Sequence, residues 1–100
     1  MMEKVINILG VPYTVEEVEC VDKGTLCKGQ INYMTGRILI DKTLPKEHKD
    51  VVLMHEILHA VFDLLGYDDL ATDESKVQGI ATALHQVITS NKVFDGRYTV

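Results

Sequence analysis

Val51-Val52-Leu53-Met54-His55-Glu56-Ile57-Leu58-His59-Ala60-Val61-Phe62-Asp63-Leu64-Leu65-Gly66 is the stretch that decides how this chain is read. It carries no Gly or Pro before Gly66, a natural helix C-cap, and its apolar residues surround the pattern on every side. Such a segment predicts a buried helix. Histidines and a glutamate inside it would be costly to desolvate unless hydrogen-bonded or metallated. His55 and His59 stand four residues apart, which stacks their Cβ atoms about 5–6 Å apart on one face. That spacing suits zinc, which takes imidazole nitrogen at about 2.0–2.1 Å, prefers a tetrahedral shell and leaves positions for further ligands. Glu56 lies too far round the helix to share the histidines' face and takes the general-base position of the H-E-x-x-H pattern. The blander reading is a pair of hydrogen-bonded core histidines.

A catalytic zinc site usually has three protein ligands, so one more is expected. Asp63 continues the stripe of His55 and His59, but eight residues of helical rise put it about 12 Å from His55 along the axis. It reads as a carboxylate supporting the site from outside or as a solvated acid. Glu74 is the expected third ligand, because the short acidic connection Tyr67-Asp68-Asp69-Leu70-Ala71-Thr72 would fold a second helix back against the first. Asp73, Asp69, Asp68 and His85 are the alternatives. His85 lies about 16 Å beyond Glu74 by helical rise, which favours a core or surface role over substrate contact. His48, in a highly charged stretch, reads as solvated. Tyr33 and Tyr67 are candidate hydrogen-bond donors to a reacting carbonyl, with plain packing as the other reading.

The chain has 100 residues, 46% hydrophobic and 25% charged, which predicts one globular domain over residues 1–100. A body this small has no room for a two-domain cleft, so a site on it must be open or shared, and a partner or homodimer could complete its specificity. No apolar stretch approaches the roughly eighteen residues of a membrane span. Met1-Met2-Glu3-Lys4 does not begin a secretory signal, so cytoplasmic residence is expected. The net charge of −5 argues against direct nucleic-acid binding. Cys20 and Cys27 match neither a redox nor a zinc-knuckle spacing and read as reduced thiols.

Residues 1–41 are strand-rich. Val5, Ile6, Ile8 and Leu9 lead through Gly10-Val11-Pro12 into alternating Tyr13, Val15 and Val18, which predicts a hairpin or meander. Residues 21–29 read as a loop. Ile31 and Tyr33 are expected to face Ile38 and Ile40 across a turn in which Gly36 supplies the unusual backbone angle. Pro45 and Glu47 suit the start of the motif helix, about 45–65. Thr72 or Asp73 can cap a second helix, about 73–90, with apolar positions Val77, Ile80, Ala81, Leu84, Val87 and Ile88. The tail 91–100 could add a strand.

The strings Leu53-Met54-His55-Glu56-Ile57-Leu58-His59-Ala60, Asp73-Glu74-x-x-Val77-x-x-Ile80-Ala81 and Leu84-x-Gln86-Val87 resemble the ImmA/IrrE family of metallopeptidases, above all its short phage and prophage members. The resemblance runs from about residue 30 to 88. It implies that His55, His59 and Glu74 bind zinc and that Glu56 is the base. It also implies a protein substrate, such as a transcriptional regulator of repressor type, met in the host cytoplasm. The chain departs from longer relatives in its short gap from His59 to Glu74, in His85 where tyrosine is expected, and in lacking a helix-turn-helix or sensor domain.

Together these readings predict an α+β fold with a zincin-like, minimal gluzincin core: a small antiparallel sheet packed against two main helices, one sheet edge bordering the metal. The expected activity is zinc-dependent hydrolysis of a peptide bond in an extended segment added to that edge. The alternative is a non-catalytic, zinc-stabilised protein-binding module of phage or host regulation.

Overall fold

The computed structural model describes residues 3–19 and 28–91. Four strands and three helices follow in order: β1 (Glu3–Ile8), β2 (Val11–Val18), β3 (Gly29–Asn32), β4 (Arg37–Asp41), α1 (Lys46–Leu65), α2 (Asp68–Ala71) and α3 (Glu74–Ser90). Cys20, Cys27 and the tail from Lys92 onward, with the readings placed on them, lie outside the described residues.

The first hairpin forms where Leu9 and Gly10 both take positive φ, 51° and 88°, as a tight turn between right-twisted strands requires. Asn7 Oδ1 accepts a hydrogen bond from the Gly10 N–H at 2.9 Å. In the second hairpin Ile31 pairs with Ile38 and Gly29 with Ile40. Tyr33 therefore does not face Ile40, as its alternation suggested; it sits in the turn, where Asn32 Oδ1 accepts from the N–H groups of Met34 and Thr35 at 2.9 and 3.1 Å. Asn32 ends the strand by capturing these donors, so the turn begins earlier than apolar spacing implies.

The strand order is β1-β2-β4-β3, with β2 and β4 parallel and the other two pairs antiparallel. The sheet is mixed, which corrects the expectation of a purely antiparallel one. Hairpin signals are local and report β1–β2 and β3–β4; the direction in which the two hairpins join depends on side-chain fit across the sheet. Pro12 lies in β2 opposite Asn7 of β1, ahead of the Thr14–Val18 stretch that pairs with β4, so its missing N–H breaks no bond there.

Tyr13 and Val15 of β2 and Ile38 and Ile40 of β4 project from one sheet face and are buried, with Ile8 of β1 and Ala60 of α1 completing the cluster. A second cluster joins Leu58 of α1 to Val77 and Ala81 of α3, with Met54 and Phe62 against it. α1 thus lies between the sheet and α3, which explains its apolar residues all round. Gly66, at φ 77°, ends it: its N–H donates to Asp63 O at 3.1 Å and that of Tyr67 to Phe62 O at 2.8 Å. The acidic connection contains α2, a third helix of one turn, and Asp73 caps α3 by accepting from Lys76 N at 3.0 Å. Only a third of the expected apolar positions of α3 are covered: Val77 and Ala81 are buried, whereas Ile80, Leu84, Val87 and Ile88 are exposed. Among the described residues α3 packs mainly on α1, with the one-turn α2 beside its start, and a single long helix covers one narrow stripe. No helix among the described residues is long and apolar enough to cross a membrane.

Candidate metal centre

Antiparallel packing of α3 on α1 brings Glu74, the first residue of α3, over the His55–His59 face. Glu74 Oε1 lies 2.5 Å from His59 Nε2 and 3.2 Å from His55 Nε2, and the two Nε2 atoms are 3.1 Å apart. Of the acidic and imidazole groups on the described residues, His55, His59 and Glu74 are the set whose ligand atoms converge, all within 4.8 Å. The alternatives Asp68, Asp69, Asp73 and His85 do not join them.

The opposite nitrogens of the two rings bear on whether the three groups could hold a cation. His59 Nδ1 donates to the carbonyl of Ala71 in α2 at 2.7 Å, and a carbonyl can only accept. His55 Nδ1 lies 2.8 Å from Gln78 Oε1, and the Gln78 amide is oriented by donating from Nε2 to Thr82 Oγ1 at 3.2 Å. A ring that carries its proton on Nδ1 can present the Nε2 lone pair to the other ring and to the Glu74 carboxylate, an arrangement that a cation among the three atoms would satisfy. Zinc bonds of about 2.0–2.1 Å separate ligand atoms by roughly 3.3 Å in a tetrahedron, close to the spacings of the histidine nitrogens and of His55 from Glu74. The residues fit zinc.

The partners of the rings are the features that sequence reasoning missed. A backbone carbonyl leaves no residue signature, so Ala71 could not have been singled out. Gln78 could have been: it stands four residues after Glu74, on the same stripe of α3. Asp63 is exposed and is not among the partners of either ring, so it is a solvated acid. Gln78→Ala is expected to weaken zinc binding about 10- to 100-fold by freeing the His55 ring, whereas Asp63→Ala leaves affinity unchanged; competition with a chromophoric chelator measures both.

Glu56 points to the other side, toward the sheet. It is 6% exposed, and burial raises its carboxyl from the ordinary 4.5 to about 7; His55 lowers the value and Glu74 raises it, both by less. Gly29 of β3 makes room for it. A Cβ on Gly29 would lie 2.5 Å from Val52 Cγ1 and 3.2 Å from Glu56 Oε2, with the Leu39 carbonyl at 3.3 Å on the sheet side. Gly29→Ala is therefore expected to cost about 1–3 kcal/mol by overpacking while the chain still takes up zinc, because none of the three ligand atoms is touched; denaturant titration and metal analysis check the two halves.

Between β3 and the histidines runs an open groove of about 560 Å³, lined among others by Gln30, Ile31, Asn32, Tyr33, Glu56 and Glu74. Tyr33 reaches it from the hairpin turn. Desolvation raises its phenol, with Asp63, Glu56, Tyr13 and Glu74 adding to the effect, so it stays a hydrogen-bond donor at neutral pH. Tyr67 is exposed beside α2 and does not line the groove. His48 is exposed, as expected for a solvated group. His85 is half-buried, and its Nε2 is enclosed with no hydrogen-bond partner among the described residues. No protein-family model matches the chain, and neither a curated protein nor a solved structure does.

Proposed function

We propose that the chain is a zinc-dependent peptide hydrolase of minimal zincin-like design, akin to the short ImmA/IrrE metallopeptidases that its motifs resemble. The observation that carries this reading is the convergence of His55, His59 and Glu74 beside a buried glutamate at an open sheet edge. Among the described residues β3 is an edge strand, so its outer main-chain groups can pair with an extended segment of a protein substrate. Gln30, Ile31 and Asn32 would hold that segment across the groove. Tyr33 offers a hydroxyl to the reacting carbonyl. Glu56 takes the proton of the attacking water and passes it to the leaving amine, so hydrolysis proceeds without a covalent enzyme intermediate. Zinc, when bound by His55, His59 and Glu74, supplies a Lewis acid that polarises the carbonyl and makes water more acidic.

The test is to incubate zinc-loaded wild type and Glu56→Gln with a mixed-sequence peptide library and to detect new termini by mass spectrometry. Cleavage by wild type, reduced about 10²- to 10⁴-fold in Glu56→Gln at unchanged zinc content, is the expected result. If both forms cut alike, the base is elsewhere. If both bind peptides and neither cuts, the chain is a zinc-stabilised binding module.

A further inference from the structure

Gln78 and Thr82 stand four residues apart on α3, and the Gln78 side chain lies between Thr82 and His55. Its amide has two ends of similar shape and opposite character, an oxygen that only accepts and an NH2 that only donates. Turned one way, it accepts a proton from His55 Nδ1 and leaves the Nε2 lone pair free for a metal. Turned the other way, it donates to Nδ1, and the proton of the neutral ring moves to Nε2, where it blocks the metal. Gln78 alone does not decide between the two. His59 has no such choice, because its Nδ1 meets the backbone carbonyl of Ala71 at 2.7 Å, which only accepts.

We infer that Thr82 is the positioning residue that makes the choice, through the single proton of its hydroxyl. That proton is committed: Thr82 Oγ1 donates to the backbone carbonyl of Gln78 at 2.9 Å, the back-bond of a helical threonine. The oxygen has only lone pairs left to offer, so it can only accept from the Gln78 side chain, and it takes Nε2 at 3.2 Å. Oε1 is thereby turned to His55 Nδ1, 2.8 Å away, and the ring donates there. His55 Nε2 then faces Glu74 Oε1, 3.2 Å away, with its lone pair. One hydroxyl proton on α3 thus sets the tautomer of a ring on α1. Thr82 is neither in the converging set of ligand atoms nor on the groove wall, so its effect passes through Gln78. The inference rests on the zinc-binding part of the proposed function and not on hydrolysis.

Zinc competition titrations of the full chain test this as a double-mutant cycle. Thr82 is exposed, so replacing it opens no cavity. Thr82→Val keeps the shape and a similar helix preference, but has no proton to commit and no lone pair to offer. It is expected to weaken zinc binding about 3- to 10-fold, less than Gln78→Ala because it acts one step further out. Thr82→Ser is expected to bind as wild type does. In a Gln78→Glu background both side-chain oxygens accept, the choice disappears, and Thr82→Val is expected to cost nothing. NMR of the zinc-loaded protein adds a second readout: the His55 Nδ1 proton exchanges faster with water in Thr82→Val, while the His59 Nδ1 proton keeps its wild-type rate. Undiminished zinc binding by Thr82→Val overturns the proposal. So does an equal loss in the Gln78→Glu background or in Thr82→Ser, since the residue then acts through packing. A wild type that takes up no zinc overturns this proposal together with the zinc reading, whereas the cycle is independent of whether any peptide is cut. Should Thr82→Val fail to fold, Thr82→Ala removes the same proton and is read in the same way.

Discussion

Removing zinc from the chain with a chelator is expected to lower its melting temperature by about 15–30 °C, and His59→Ala or Glu74→Ala should abolish most of that chelator-sensitive stability. A ligand bound only by the folded state stabilises it by about 4 kcal/mol when free ligand exceeds the dissociation constant a thousandfold. For a domain of this size each kcal/mol moves the midpoint by about 4–8 °C. The effect is expected to be large because the three groups that could hold the ion come from two helices: His55 and His59 from α1 and Glu74 from α3. Without a bridging ion α3 keeps only Val77 and Ala81 fully buried. Elemental analysis with calorimetry provides the readout. Stoichiometric zinc retained in Glu74→Ala would place the third ligand elsewhere; no zinc in wild type after reconstitution would leave a metal-free domain with paired histidines.

Glu56→Gln should make the zinc-free protein more stable at pH 8 by up to about 3 kcal/mol, and should leave it unchanged at pH 4. The sign follows from protonation. Glu56 has its folded value raised to about 7 from 4.5. Below pH 4.5 both folded and unfolded chains hold the proton, and burial of a neutral acid costs little extra. Between 4.5 and 7 the unfolded chain releases the proton while the folded chain keeps it, so stability falls as pH rises. Above 7 the folded state carries a buried anion and the full penalty, at about 1.4 kcal/mol for each pH unit between the two values. Glutamine keeps the shape and cannot ionise. Urea titrations of both forms at the two pH values decide the matter, and equal gains at pH 4 and pH 8 would mean that Glu56 is not held in a desolvated place.

The motif helix and the convergence of His55, His59 and Glu74 were legible because both depend on short-range geometry. Four-residue spacing places His55 beside His59, and Gly66 and Asp73 set the limits of the connection that returns Glu74 to them. Legibility failed where a partner is chosen in space. The parallel alignment of β2 with β4 has no turn signal, Ala71 acts through its backbone, and the need for Gly29 appears only once Val52 and Glu56 lie opposite it. The exposed stripe of α3 illustrates a different limit. Periodicity shows which residues of a helix share a face, but the number of neighbours decides how much of that face is covered.

The position of α1 between two layers gives the five motif residues an unusual division of labour. At 100° each they pass round the whole circumference of the helix. His55 is directed to Gln78 of α3, Glu56 to the β3 side, Ile57 to the sheet cluster, Leu58 to the α3 cluster, and His59 to Ala71 of α2. The two positions that the H-E-x-x-H pattern leaves unspecified are therefore assigned here, one to each core. In a chain this short, the pentapeptide is also the keystone at which every layer meets.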